Sequence, residues 1–229
     1  IGTASLPTTA GALALRGNQT RDAFITAQLK AAGAIILGKA NLSEWAYFFC
    51  RQCPSGYSAM GGQTLNPYGR FEFGTGGSSS GSGVAAAANF ASVTVGSETS
   101  GSILSPASSQ SAVGLKPTTG ALSRSGVVPI SSTLDTAGPI TRSVADAVIL
   151  FNAMAGFDPD DPAMPRPVAD FQLMLRQVPL SGKRLGALED FADQPLYQQA
   201  LSQLSAAGAT ITEAHLPELE LEGFSELLG

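Results

Sequence analysis

The chain has 229 residues, enough for one large domain or two small ones. With 44% hydrophobic and 14% charged residues it is too apolar to be disordered. Its 13 basic and 18 acidic residues leave a net charge of −5, which argues against nucleic acid as the main partner, because phosphate binding needs a basic face. No apolar run approaches the ~18 residues of a membrane span, so no membrane partner is expected.

In chain order, Ile1–Gly17 reads as irregular. Asp22–Ala32 predicts a helix with Phe24, Ala27 and Ala31 on one side and Gly33 as its stop. Ala34–Leu37 is a short apolar run, expected as a buried parallel strand. Asn41-Leu42-Ser43-Glu44 has capping-box spacing and predicts a second helix. Ser82–Phe90 predicts a helix with a small-residue surface, and Ser92–Val95 a strand with Val93 and Val95 on one face. Between Ser109 and Ser132, Pro117, Gly120, Gly126 and Pro129 mark strands and turns. Ser143–Ala155 is the clearest helix, with Ser143 and Asp146 as a capping-box variant, Val144, Val148, Phe151 and Ala155 as its stripe, and Gly156 as its stop.

Phe157–Ala169, rich in proline and aspartate, reads as a surface connector. Lys183–Leu188 then predicts a strand, Gln194–Ala207 a helix and Ala209–His215 another strand, before an amphipathic, helical stretch that runs to Gly229. Leu29-Lys-Ala-Ala-Gly-Ala-Ile-Ile and Leu204-Ser-Ala-Ala-Gly-Ala-Thr-Ile share a helix–Gly–strand pattern, one local solution used twice. Alternating elements argue for an α/β fold with helices covering a mostly parallel or mixed sheet.

Several motifs imitate known sites and fail. Gly33–Ala40 resembles a phosphate-binding loop, but Ala40 stands where a hydroxyl should ligate magnesium, and the central residues are strand-like. Gly81-Ser-Gly83 imitates a dinucleotide fingerprint with no strand before it and no acidic residue about twenty positions on. Cys50 and Cys53 form a Cys-x-x-Cys pair in an aromatic, turn-rich segment; incidental cysteines or a disulfide fit better than a redox or metal site. No cofactor or metal is expected.

The stretch Gly74–Pro106 organises the chain: two Gly/Ser loops flank a short helix and a short strand. Glycine allows close backbone approach and serine supplies hydroxyls that attack or relay protons. Flexible linkers share this composition, but the apolar segments 84–90 and 92–95 tether the loops at both ends. A serine nucleophile needs a base, and the only histidine, His215, lies on the edge of a predicted strand in the tail. A Ser-His-Asp triad is therefore nearly excluded by counting, and no Gly-x-Ser-x-Gly elbow is present. A lysine kept neutral by burial is the alternative base.

These residues resemble the amidase signature family of serine hydrolases, with bacterial peptide amidases the nearest in look. The matching segments are Gly76–Ser82, Gly96–Ile103 with Pro106, Ala32–Asn41, Gly114–Thr118, Leu134–Pro139 with Arg142 and Asp146, and Asp158–Pro162, in family order. The resemblance implies a mixed, twisted central sheet covered by helices on both faces, truncated here. It implies one domain over 1–229, incomplete at both ends: a signature core over 1–156, the connector over 157–169, and a C-terminal αβ portion over 170–229.

It also implies a Ser–cis-Ser–Lys triad. Ser102 would be the nucleophile that forms an acyl-enzyme, Ser78 the bridging serine after a cis peptide, and Ser79 its support. The N–H groups of Thr99, Ser100, Gly101 and Ser102 would form the oxyanion hole. The lysine would lie three residues before Ile1; Lys30, Lys39, Lys116 and Lys183 do not match its position. Ser100 and Leu104 depart from the family's usual glycine or aspartate and arginine. The expected substrate is a small-molecule amide or a peptide amide. The alternatives are an inactive relative without the lysine, or an amidotransferase component of the same family. No signal peptide is visible, which favours the cytoplasm, but the chain opens on Ile1 and a signal ahead of it stays open.

Overall fold

The computed structural model describes residues 1–50, 52–164, 175 and 178–215. They belong to two compact units, Ile1–Leu175 and Arg176–Gly229. In chain order the main elements are α1 (Phe24–Ala31), β1 (Tyr57–Ser58), β2 (Gly62–Gln63), α2 (Ser80–Ala87), β3 (Thr94–Glu98), α3 (Leu104–Ser109), β4 (Val113–Gly114), β5 (Thr136–Thr141), α4 (Val144–Met154), β6 (Arg184–Leu188), α5 (Pro195–Ala206) and β7 (Thr210–Ala214).

The first unit is built on a sheet of order β3-β5-β4 with antiparallel pairing throughout, Thr94 opposite Ile140 and Glu98 opposite Thr136. Every residue of β5 is buried, because helices cover both of its faces. Ala137 faces a cluster with Ile25 and Leu29 of α1 and Leu150, Phe151 and Met154 of α4. Ile140, on the other face, packs with Ala86 of α2, Ile103, and Ala107 of α3. Each large apolar side chain so buried contributes about 1.5–3 kcal/mol. The second unit pairs β6 with β7 in parallel, with α5 between them in the chain, so the whole is mixed α/β.

Both helix faces differ from the periodicity reading. In α4 the buried residues are Ala147, Leu150, Phe151 and Met154, while Val144 is exposed. In α1 they are Ile25, Thr26 and Leu29, while Ala27 and Ala31 are exposed. In each case the observed face carries the longer aliphatic chains, and it buries more apolar area against the sheet than the alanine-containing alternative.

Ala34–Leu37 forms no regular element and pairs with no strand among the described residues. Ile36 packs on the first cluster, whereas Ile35 and Leu37 are 84% and 72% exposed. Asn41 does not cap a helix. Its Nδ2 donates to the carbonyls of Gly56 and Gly62 and to Thr64 Oγ1, and its Oδ1 accepts from the Ser58 hydroxyl at 2.6 Å. That side chain is committed to the β1–β2 hairpin, and only a short 3-10 turn, Glu44–Tyr47, follows.

The repeated helix–Gly pattern is the same cap twice. After α1, Gly33 N–H bonds Lys30 O and Ala34 N–H bonds Leu29 O, with Gly33 at φ +87°. After α5, Gly208 N–H bonds Ser205 O and Ala209 N–H bonds Leu204 O, with Gly208 at φ +100°. Both are Schellman closures, which need a left-handed residue. The amphipathic stretch 216–229 and the end of the connector, 165–169, lie outside the described residues.

Candidate active site

Two loops meet where α2 and α3 begin. Ser79 N–H donates to Ser102 O at 3.1 Å, and Ser78 O accepts from Ser43 N–H at 3.0 Å. The Ser79 hydroxyl donates to Ser97 O at 3.0 Å and accepts from Ser97 N–H at 3.1 Å, so it fastens the first loop to β3. Glycine makes the approach possible. A Cβ on Gly96 would lie 2.9 Å from Ser79 Oγ, and one on Gly77 would lie 2.8 Å from both Ser43 Oγ and Ser55 Oγ. The Gly77–Ser78 peptide is cis.

Ser78 is buried and Ser102 half-buried, and both line one small cleft. Thr99 and Asp135 share it, and Ala46, Val127, Val128 and Ile130 form its apolar wall. Thr99 is half-buried, Ser100 exposed, and Gly101 left-handed at φ +79°. The cleft brings two serines and Thr99 to one surface; acyl transfer requires a serine hydroxyl beside hydrogen-bond donors and a proton acceptor.

Two carboxylates hold the cleft together. Glu98 is 4% exposed; its Oε1 accepts from Gly101 N–H at 2.7 Å, and its Oε2 from Ile103 N–H at 2.7 Å and Leu104 N–H at 3.0 Å. A buried carboxylate is tolerated when donors replace its water. Its bond to Gly101 engages one of the four N–H groups expected at the oxyanion hole. Asp135 Oδ1 accepts from the Thr99 hydroxyl at 2.5 Å, and Oδ2 from Ile130 N–H at 2.7 Å and Ser131 N–H at 2.9 Å. Sequence reasoning gave neither acid a role. For Glu98 the available signal was a lone acid inside a Gly/Ser loop ahead of a helix, where the exposed N–H groups favour negative charge; for Asp135, directly before β5, there was none.

Behind the apolar wall, Arg124 pairs with Asp161 at 2.6 Å and donates to Ser132 O. Hydrogen bonds from Arg124 hold the Asp161 carboxyl down to about 2. On the other side, Trp45, Ala46 and Tyr47 are all left-handed, at φ 48°, 52° and 70°. Non-glycine residues there cost about 1–3 kcal/mol each and persist where surrounding contacts over-determine them. Trp45 N–H bonds Ala10 O at 2.9 Å, the Tyr47 hydroxyl bonds the Ser55 hydroxyl, and Cys50 and Cys53 are joined as a disulfide.

Two of the lysines that do not match the family's catalytic position also stay away from the cleft: Lys39 Nζ donates to Thr8 Oγ1 and Lys116 Nζ to Pro117 O. His215 lies in the second unit, exposed, 3.0 Å from Glu189. Among the described residues no three of His, Cys, Asp and Glu gather as a metal site.

The chain is 44% identical over 223 residues to a probable amidase of Arabidopsis thaliana, covering 94% of this chain and 43% of the plant protein. Native peptide amidase from Stenotrophomonas maltophilia superposes with a TM-score of 0.90 at 47% identity, over 100% of this chain and 48% of that one. A glutamyl-tRNA(Gln) amidotransferase component from Thermotoga maritima gives a TM-score of 0.85 at 33% identity, over 95% and 48%. The chain thus spans about half the length of the relatives it matches. The family described as Amidase matches residues 1–222, and with the two-loop cleft in place this chain belongs to that family.

Proposed function

We propose that this chain carries the serine portion of an amide hydrolase acting on carboxamides or peptide amides. The observation that supports it most is the shared cleft of Ser78 and Ser102, bounded by Thr99 and tied together by the Ser79–Ser102 backbone bond. In this reading Ser102 Oγ attacks the carboxamide carbon while its proton passes through Ser78 Oγ to a lysine, which the family resemblance puts three residues ahead of Ile1. The tetrahedral oxyanion takes hydrogen bonds from the N–H groups of Thr99, Ser100 and Ser102. Gly101 is the weaker donor, because Glu98 already holds its N–H. Collapse expels ammonia or an amine, and water then hydrolyses the Ser102 ester.

Ser102→Ala in the full-length protein tests the reading. Turnover should fall by at least about a thousandfold, with no acyl-enzyme in the mass spectrum of substrate-quenched samples. Undiminished turnover of every amide tried would overturn it. The likeness to the Thermotoga amidotransferase component supports a second reading, a part of an amidotransferase complex. Copurifying partner proteins and a requirement for ATP would favour that reading over free hydrolysis.

A further inference from the structure

We infer that Cys50–Cys53 is a thiol–disulfide exchange site whose oxidised form holds the cleft of Ser78 and Ser102 in shape; the inference rests on the amide-hydrolase reading of that cleft. The disulfide lies between two residues that clamp each other. Upstream, Tyr47 donates its hydroxyl to Ser55, and Cys50 N–H bonds Tyr47 O at 3.0 Å. Downstream, Cys53 is two residues from Ser55. The bridge therefore shortens the free path between the halves of the Tyr47–Ser55 clamp, with a Cα–Cα separation of 5.5 Å across it.

The clamp closes on the residue before Ser78. Tyr47 Oη, Ser43 Oγ and Ser55 Oγ occupy the space that a Cβ on Gly77 would need. Ser43 also holds Ser78 O through its N–H and Gly56 N–H through its hydroxyl. On the same turn Ala46, left-handed at φ 52°, forms part of the cleft wall. Three consecutive left-handed residues, none of them glycine, stay in place only under external restraint. Opening the bridge removes one such restraint, and the turn Trp45–Tyr47 relaxes toward ordinary backbone. Ala46 and the Tyr47 hydroxyl move with it, and Ser78 loses its backing.

The chemistry needs a dithiol reductant. One of its thiolates attacks a sulfur of the bridge, breaks the S–S bond and forms a mixed disulfide. Its second thiolate displaces the protein sulfur, leaving a cyclic disulfide of the reductant. Two electrons and two protons arrive on Cys50 and Cys53 as thiols.

The test uses the full-length protein with and without dithiothreitol, with thiol titration to verify opening. Trp45 is the only tryptophan of these 229 residues and sits 5.6 Å from Phe49 in an edge-on contact, so with any tryptophan elsewhere in the full-length protein replaced by phenylalanine its emission reports the turn. Reduction should shift that emission, speed amide hydrogen exchange over residues 77–79, and lower amide turnover by at least about tenfold. Cys50→Ser/Cys53→Ser should show the reduced values in both buffers, and Tyr47→Phe should lose most of its rate response to the reductant. If the titrated, reduced protein keeps both its emission and its exchange over 77–79, the inference is overturned whatever the rate does. If those two readouts respond while no amide is hydrolysed in either state, the disulfide-to-cleft link stands and the amide-hydrolase reading is what fails.

Discussion

Asp135 presents one carboxylate oxygen to the Thr99 hydroxyl and the other to the N–H groups of Ile130 and Ser131, so a single side chain joins the loop that carries Thr99 to the apolar wall. Asp135→Asn removes the charge that strengthens these bonds and turns an NH2 toward Thr99, whose hydroxyl must then accept rather than donate. The expected result is a loss of about 1–3 kcal/mol of stability by chemical denaturation, and about a tenfold fall in kcat with a smaller change in KM. Gly77→Ala sets a methyl against Ser43 Oγ and Ser55 Oγ and should destabilise by about 1–3 kcal/mol, read in the same assay. The convergence of the two Gly/Ser loops was legible in the sequence, because their glycines permit close backbone approach and the apolar segments between them act as tethers, whereas the parts given to Ser78 and Ser102 rest on the family resemblance. Glu98 and Asp135 were not legible, since their roles depend on which backbone N–H groups fold toward them, and no spacing states that.

The bounds of α1, α4, α5, β6 and β7 lie within two residues of those expected, whereas α3 and β5 were not anticipated. Ser143 Oγ accepts from Asp146 N–H at 3.1 Å and donates to its carboxylate at 2.7 Å, the cap that the sequence pattern implied. Ser143→Ala should cost about 1 kcal/mol in a urea titration. Gly33→Ala, at a left-handed position with open space around it, should cost about 1–2 kcal/mol through backbone strain alone. Which face of a helix turns inward was less legible. In α4 the sets 144/148/151/155 and 147/150/151/154 both fit a 3.6-residue period, and only the sheet beside the helix selects between them. The segment 34–37 was misread for a related reason: residues apolar on both faces describe a strand with neighbours, and among the described residues this one has none.

At the scale of the molecule, Arg124 and Asp161 tie the segment before β5 to the stretch after α4, with 2% of the Asp161 side chain exposed. Its carboxyl is held near 2, below the ordinary value of ~3.9. A lowered folded-state value contributes stability that is fully present above the ordinary pKa and disappears as pH falls toward 2. The pair should therefore account for about 2 kcal/mol lost between roughly pH 5 and pH 2. Unfolding free energies measured across that window should fall less steeply for Asp161→Asn than for the unsubstituted chain. Asp158 adds to the same trend: burial alone would raise its carboxyl, but the Ser123 hydroxyl at 2.5 Å helps to outweigh that and leave it lowered. The exposed aliphatic residues Ile35 and Leu37 bear on handling rather than chemistry. Backbone that pairs with no strand among the described residues, flanked by outward aliphatic side chains, is a template on which a second chain can add itself. In concentrated solution the 229-residue chain should show turbidity that grows with protein concentration. Ile35→Lys should suppress it while moving the melting temperature little, because a side chain standing in solvent can be exchanged for a charge at almost no cost to the fold.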